Sequence, residues 1–303
     1  MKKRLDIVIT ERGLRESRQQ AQTAIMSGYV FVNGQRAVKA GMPVAEDAVI
    51  EIRDDTPRYV SRGGFKLEKA LHMFPLALNG SVCADIGAST GGFTDCMLQH
   101  GAAKVYAVDV GYGQFAWKLR QDSRVICLER TNARYLSREQ IPEPLDFASV
   151  DVSFISLRLI LPPLRMLLHN GARAVCLIKP QFEAGRDKVG KKGVVRDSSV
   201  HLEVLEQFLN HAREADFRVC ALTWSPVRGP EGNIEYLGYL RPGTESAPDD
   251  MPEHAPENGL GNTLKDSPGN TREKIFYDTP PFRNLAALVE QSHEIPVQKG
   301  GFP

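Results

Sequence analysis

No apolar run in this 303-residue chain approaches the roughly 18 residues of a bilayer-spanning helix. The start, Met1-Lys2-Lys3-Arg4, has the basic character of a secretion signal, but Asp6, Thr10 and Glu11 break the apolar stretch that should follow. Cysteine is scarce: Cys83, Cys96, Cys127, Cys176 and Cys220 are odd in number and form no C-x-x-C pair. That argues against a disulfide framework and a zinc knuckle and leaves buried thiols, four in strand-like contexts and Cys96 in a helix. The 7 histidines have no ligand spacing, so no metal is expected. Net charge is almost lacking, with 38 Lys+Arg against 37 Asp+Glu. The resulting +1 argues against a uniformly basic coat and against an acidic, disordered solvator. With 42% apolar residues the chain reads as an ordinary globular protein of about two domains, expected in the cytoplasm with no membrane partner.

The charge is unevenly spread. Residues 1–45 hold 8 basic and 3 acidic side chains, residues 46–60 hold 2 and 5, and residues 61–240 hold 22 and 19. The stretch 241–303 holds 6 and 10, with 9 of the 19 prolines. Such a segment is expected to be mostly disordered, apart from one amphipathic helix from about Phe282 to His293 presenting Leu285, Leu288 and Val289.

In the basic head, helical periodicity runs from Leu14 through Ala21 and Ile25, and Arg12, Arg15 and Arg18 recur every three residues like a ladder. A strand Tyr29–Val32, an Asn33-Gly34 turn and a returning strand from Gln35 to Val38 follow, with Arg36 and Lys39 beside the turn. A solvated face is the ordinary reading of such charge. Its local excess and its arginine forks favour phosphate oxygens instead. Arg4-Leu5-Asp6, Ser17-Arg18-Gln19-Gln20-Ala21, Gly28-Tyr29-Val30 and Val32-Asn33-Gly34 resemble the S4 RNA-binding domain, which implies RNA contacts by Arg4, Arg12, Arg15, Arg18, Arg36 and Lys39.

Ser81 to Asp95 reads as a strand, a glycine-rich turn and a helix start, and the strand from Lys104 to Val108 ends at Asp109, placed for a ribose diol. The spacing Gly87-x-x-x-Gly91-Gly92 is not the dinucleotide pattern, and Asp85 before the loop would repel a pyrophosphate. An acid there suits a ligand with a cationic amino-acid end, which favours S-adenosylmethionine over a nicotinamide cofactor. The loop resembles those of class I methyltransferases, closest to the FtsJ-type RNA ribose methyltransferases.

Two later strands also end in charge, at Asp151 and at Lys179, where ligands bind in a parallel sheet. Glu235 lies in the strand after a Pro/Gly loop, and Lys66 precedes a helix expected to start near Leu67. A lone lysine of this kind is usually a surface ion pair. All four together match the K-D-K-E tetrad of FtsJ-type enzymes. A ribose 2′-hydroxyl is a poor nucleophile at neutral pH, and attack on a sulfonium methyl needs a base and alignment. Lys179 is the expected base and Lys66 the neighbouring cation. Glu235 is the carboxylate that orients a lysine, and Asp151 the group positioning Lys179 and the ribose. The loop carrying Lys188, Lys191 and Lys192 suits an RNA backbone, with a solvated loop as the alternative.

An S4-like head before an FtsJ-like body resembles the TlyA family, through Tyr59-Val60-Ser61-Arg62-Gly63-Gly64, Asp85 to Asp95, Asp151 to Leu157, Lys179 to Glu183 and Gly193 to Asp197. The resemblance implies an α/β fold with a mostly parallel seven-stranded sheet whose last strand is reversed. It implies methylation of cytidine ribose in ribosomal RNA, of the large subunit and in some members the small one. Cofactor contacts are then expected from Asp85, Gly87, Ala88, Ser89, Gly91, Gly92, Phe93, Asp109, Asn132 and Asp151. The expected organisation is an S4-like domain over 1–57, a linker over 58–62, a Rossmann-like methyltransferase domain over 63–241 and the tail 242–303. A hemolysin, as the family is also named, and a non-catalytic ribosome-assembly factor are the alternatives.

Overall fold

The computed structural model describes residues 2–26, 29–37, 39–45, 47–52, 58–229, 231–243, 276–277 and 284–294. Its contacts divide the chain into two compact units, Met1–Arg58 and Tyr59–Pro303.

The first unit contains β1 (Lys2–Arg4), α1 (Leu5–Glu11), α2 (Arg18–Met26), β2 (Val30–Val32), β3 (Gln35–Arg36), β4 (Pro43–Ala45) and β5 (Ile50–Ile52). β2 pairs antiparallel with β3 and β5, and β1 with β4. Leu5, Ile9, Ala21, Ile25, Val30 and Val44 fill its core. Asn33 and Gly34 both take positive φ, 51° and 77°, as a tight hairpin turn requires. The helix expected from Leu14 starts only at Arg18. Gly13 at φ 67° ends α1, and Ser17 Oγ accepts the Gln20 N–H at 3.2 Å as an N-cap. Arg12 and Arg15 therefore lie in the intervening turn, donating to the carbonyls of Ala48 and Leu14, and no ladder forms on one helix face.

The second unit begins with α3 (Gly63–Met73), β6 (Val82–Ile86), α4 (Gly92–Gln99), β7 (Lys104–Val108), α5 (Trp117–Arg120) and β8 (Val125–Leu128). It continues through β9 (Leu145–Val150), α6 (Leu161–Leu167), β10 (Leu168–Ile178), α7 (Pro180–Glu183), α8 (Ser198–Glu214), β11 (Phe217–Trp224) and β12 (Tyr236–Pro242). Past these come β13 (Phe276–Tyr277) and α9 (Leu285–Glu294). The sheet order is β13-β11-β12-β10-β9-β6-β7-β8, with β12 antiparallel to both neighbours and β8, β7, β6, β9 and β10 mutually parallel. Alternate residues of β10 serve opposite cores. Ala174, Cys176 and Ile178 join one cluster, Val175 and Leu177 the other, which is why the strand reads as one apolar run.

One expectation holds and two change here. The expected seven strands are β6 to β12, with β12 as the reversed one, and the two-residue β13 adds an eighth at the free edge of β11. Residues 59–61 belong to this unit rather than to a linker: Tyr59 is buried, its hydroxyl donates to Glu68, and the Val60 N–H donates to Asp95. α3 starts at Gly63, four residues earlier than Leu67. A Cβ on Gly64 would stand 2.2 Å from the Tyr59 ring, so packing overrides the poor helix propensity of glycine. In the tail, Leu285, Leu288 and Val289 are buried in the core beside α8 and β11. Apart from 242–243, β13 and 284–294, the segment expected to be disordered lies outside the described residues. None of the five cysteines is in a disulfide; Cys127 is half-buried and the others are buried.

Candidate active site

The C-terminal ends of β6 and β9, the start of α3 and the loop around Arg228 enclose a cavity of about 270 Å3. Its lining includes Ser61, Lys66, Asp85, Ala88, Asp151 and Arg228, along with Gly87, Ser89, Gly92 and Phe93. Gly87 has φ 89°, and a Cβ there would stand 2.4 Å from the Asp151 carbonyl oxygen. Only glycine lets the loop between β6 and α4 pass so close to the end of β9.

Asp85 is fully buried and accepts from the Thr94 N–H at 2.8 Å, the Thr94 hydroxyl at 2.7 Å and the Ser149 hydroxyl at 3.3 Å. Burial outweighs these bonds and pushes its pKa up to about 7. Asp109 accepts the N–H groups of Ser89 and Gly111 at 2.8 and 2.7 Å and so braces the loop. The residues present fit S-adenosylmethionine. A buried acid with neutral donors and no cation of its own suits the cofactor's ammonium, and Asp109 stands at the end of the next strand. Gly91, Asp109 and Asn132 do not line the cavity. Asn132 is exposed, and its side-chain oxygen caps the turn Ala133–Tyr135 through the Arg134 N–H.

Lys66, Asp151, Lys179 and Glu235 form a continuous chain of charges. Glu235 and Lys66 are 2.7 Å apart, Lys66 and Asp151 3.9 Å, and Asp151 and Lys179 2.5 Å. Lys66, Lys179 and Glu235 are all buried, where a charge persists only when paired. The lysine that Glu235 orients is thus Lys66. Lys179 is oriented by Asp151 and donates to Ser153 Oγ at 3.1 Å.

Four contributors, Ser153, Phe154, Phe182 and Glu183, escaped the sequence reading although their motifs were in view. Ser153 and Phe154 come two and three residues after Asp151. Phe154 has φ 63°, is 91% exposed and packs on Phe182 with ring centroids 4.8 Å apart, while Lys179 Nζ lies 5.8 Å from the Phe182 ring. Glu183 accepts from the Ser156 hydroxyl and the Leu157 N–H, tying the Asp151 loop to α7, and burial raises its pKa.

The candidate RNA ligands divide. In the first unit Arg4 and Arg18 both bond the fully buried Asp6, at 3.0 and 2.9 Å, with Gln22 adding a third donor at 2.8 Å. The Arg4 hydrogen bonds, helped by Gln22 and Arg18, hold Asp6 well below the usual carboxylate range despite burial. Lys39, Lys191 and Lys192 are exposed, and Lys188 pairs with Glu203. The Arg36 side chain lies outside the described residues. No group of three His, Cys, Asp or Glu side chains among the described residues could hold a metal, and none of the described helices is long and apolar enough to cross a membrane.

Models of known families match over residues 59–241, as an FtsJ-like methyltransferase, and over 3–50, as an S4 domain. The chain belongs to the TlyA family. The 16S/23S rRNA (cytidine-2'-O)-methyltransferase TlyA of Mycobacterium tuberculosis (strain CDC 1551 / Oshkosh) is 44% identical over 245 residues, 80% of this chain and 91% of that protein. Bacillus subtilis (strain 168) YqxC, provisionally named an rRNA methyltransferase, is 50% identical over 83% of this chain and 90% of its own. A solved structure from Streptococcus thermophilus, provisionally named a hemolysin, superposes with a TM-score of 0.64 at 48% identity, covering 83% of this chain and 92% of that one. The TlyA architecture thus joins an S4 domain to the charged cavity just described.

Proposed function

We propose that this protein methylates a ribose 2′-hydroxyl of ribosomal RNA, with cytidine as the target nucleoside and S-adenosylmethionine as the donor. The observation that carries this reading is the unbroken chain Glu235–Lys66–Asp151–Lys179, whose middle members Lys66 and Asp151 line the same cavity as Asp85. When bound, the cofactor supplies an electrophilic methyl on a sulfonium.

The protein's own residues do the rest. Asp85 and Asp151 favour a cationic ligand in the cavity, and Asp109 is the acceptor for a ribose diol. Asp151 holds the Lys179 amine, and in its uncharged form Lys179 takes the proton of the 2′-hydroxyl as the oxygen attacks. Lys66, fixed by Glu235, keeps positive charge near the developing alkoxide. Phe154 and Phe182 offer an aromatic face to a base beside Lys179.

The S4 domain and the exposed Lys191 and Lys192 supply phosphate contacts. Large-subunit RNA is the favoured substrate, small-subunit RNA a second one, and the cytoplasm the compartment. Mass-spectrometric mapping of 2′-O-methyl groups in ribosomal RNA, with and without the gene, tests this directly. One or more cytidine methyl groups that vanish with the gene are expected, and an unchanged map contradicts the proposal.

A further inference from the structure

Helix α9 follows the region matched as a methyltransferase and packs on α8 and β11. Ser292 is 1% exposed, and its Oγ lies 3.0 Å from Tyr236 Oη, which lies 2.9 Å from His201 Nδ1 on α8. His201 Nε2 is 3.0 Å from the carbonyl oxygen of Val195. That oxygen can only accept, so Nε2 carries the ring proton, Nδ1 accepts from the Tyr236 hydroxyl, and the one Ser292 hydroxyl proton is shared between Tyr236 Oη and the Val289 carbonyl 2.7 Å away. His293 of α9 stands edge-on to His201, ring centroids 4.8 Å apart. Burial lowers the pKa of both imidazoles, which keeps His201 in the neutral form this bonding requires.

The buried chain leads to the catalytic strands in one direction. Tyr236 adjoins Glu235 and pairs across the sheet with Ile178, which adjoins Lys179. In the other direction it leads to two loops. The Val195 N–H donates to Asn233 Oδ1 at 3.0 Å, Asn233 Nδ2 donates to the Gly193 carbonyl at 2.8 Å, and the Gly229 N–H donates to the Asn233 carbonyl at 2.9 Å. Gly229 and Arg228 are part of the cavity wall. Gly193 and Val195 end the loop that carries Lys191 and Lys192. Both loops are rich in glycine and hold few apolar anchors of their own, so side-chain bonds must order them.

We propose that Tyr236 and His201 are positioning residues for methyl transfer and that α9 clamps them through Ser292. The clamp sets Glu235 beside Lys66 and fixes two loops, of which the Arg228–Gly229 loop borders the cavity; its catalytic part rests on the methyltransferase reading above. Tyr236→Phe removes one hydroxyl from an otherwise intact core, and Ser292→Ala removes the α9 contact.

In the full chain, kcat at saturating RNA is expected to fall about tenfold in Tyr236→Phe and about threefold in Ser292→Ala, the size of one lost hydrogen bond felt at the reacting groups. Cofactor Kd should stay within about twofold, since Asp85 lies outside this chain of bonds, and Ser292→Thr should restore kcat. Amide exchange at Val195 and Gly229 should quicken about tenfold in Tyr236→Phe. A lower melting temperature with kcat and exchange both unchanged would reduce α9 to a structural lid. If the wild-type chain methylates no RNA, the methyltransferase reading fails, and exchange at those two amides still decides the clamp: unchanged rates overturn it.

Discussion

Asp6 in the S4 domain and Asp85 in the methyltransferase domain are both wholly buried, and their partners give them opposite chemistry. Asp6 faces two guanidinium groups and an amide, so its charge is held at any ordinary pH. Asp85 faces two hydroxyls and an amide N–H with no cation, and burial lifts it to about 7. The first is a closed lock within its domain. The second is an open position, complete only when a cationic ligand arrives. Burial alone does not separate structure from site; the charge balance around the buried group does.

Disabling the site should have the largest effect. Lys179→Ala is expected to lower methyl transfer at least about a thousandfold while leaving cofactor binding within about twofold, because the amine acts on the RNA hydroxyl. Single-turnover rates with calorimetry of cofactor binding separate the two. Next comes Asp85→Asn, expected to weaken cofactor binding about a hundredfold, as loss of a buried charged partner does.

The pH dependence sharpens the contrast. Below about pH 7 the Asp85 carboxylate is protonated, so wild-type cofactor affinity should fall by up to about tenfold per pH unit, whereas Asp85→Asn should be flat. The two acids also act oppositely on stability. Asp85, raised on folding, contributes stability that is present below about pH 4 and lost as pH rises through about 7. Asp6, depressed on folding, contributes stability that is present above about pH 4 and lost as pH falls toward its lower folded value.

Asp6→Ala should therefore cost its domain about 2 kcal/mol, read as faster amide exchange across α1, with cofactor affinity unchanged. The smallest effect belongs to the exposed lysines. Lys191→Ala with Lys192→Ala should reduce the salt slope of RNA binding by about one to two and leave single-turnover chemistry on bound RNA intact.

Much of the site was legible because apolar strands that end in charge have few other reasons to do so. Asp85, Asp109, Asp151 and Lys179 all lie at or just past such ends. The Asp6 lock was not legible, since its partners Arg4, Arg18 and Gln22 come together only when α1 and α2 pack, and along the chain those arginines read as free phosphate ligands. The early start of α3 was hidden because Gly63-Gly64 disfavours a helix locally and the Tyr59 ring, five residues before Gly64, decides the matter. The start of α2 was masked by Leu14, a turn residue half-buried in the core that extends the helical pattern backwards, although Ser17 and Gln20 carried the capping signal. The α9 helix was legible as a pattern; its bond to Tyr236 was not.

The most direct test is transfer of a labelled methyl group to purified ribosomal subunits, followed by digestion to nucleosides. Label recovered in 2′-O-methylcytidine, and lost in Lys179→Ala, is the predicted result. Label on a base, label that survives Lys179→Ala, or no label on RNA would contradict the account.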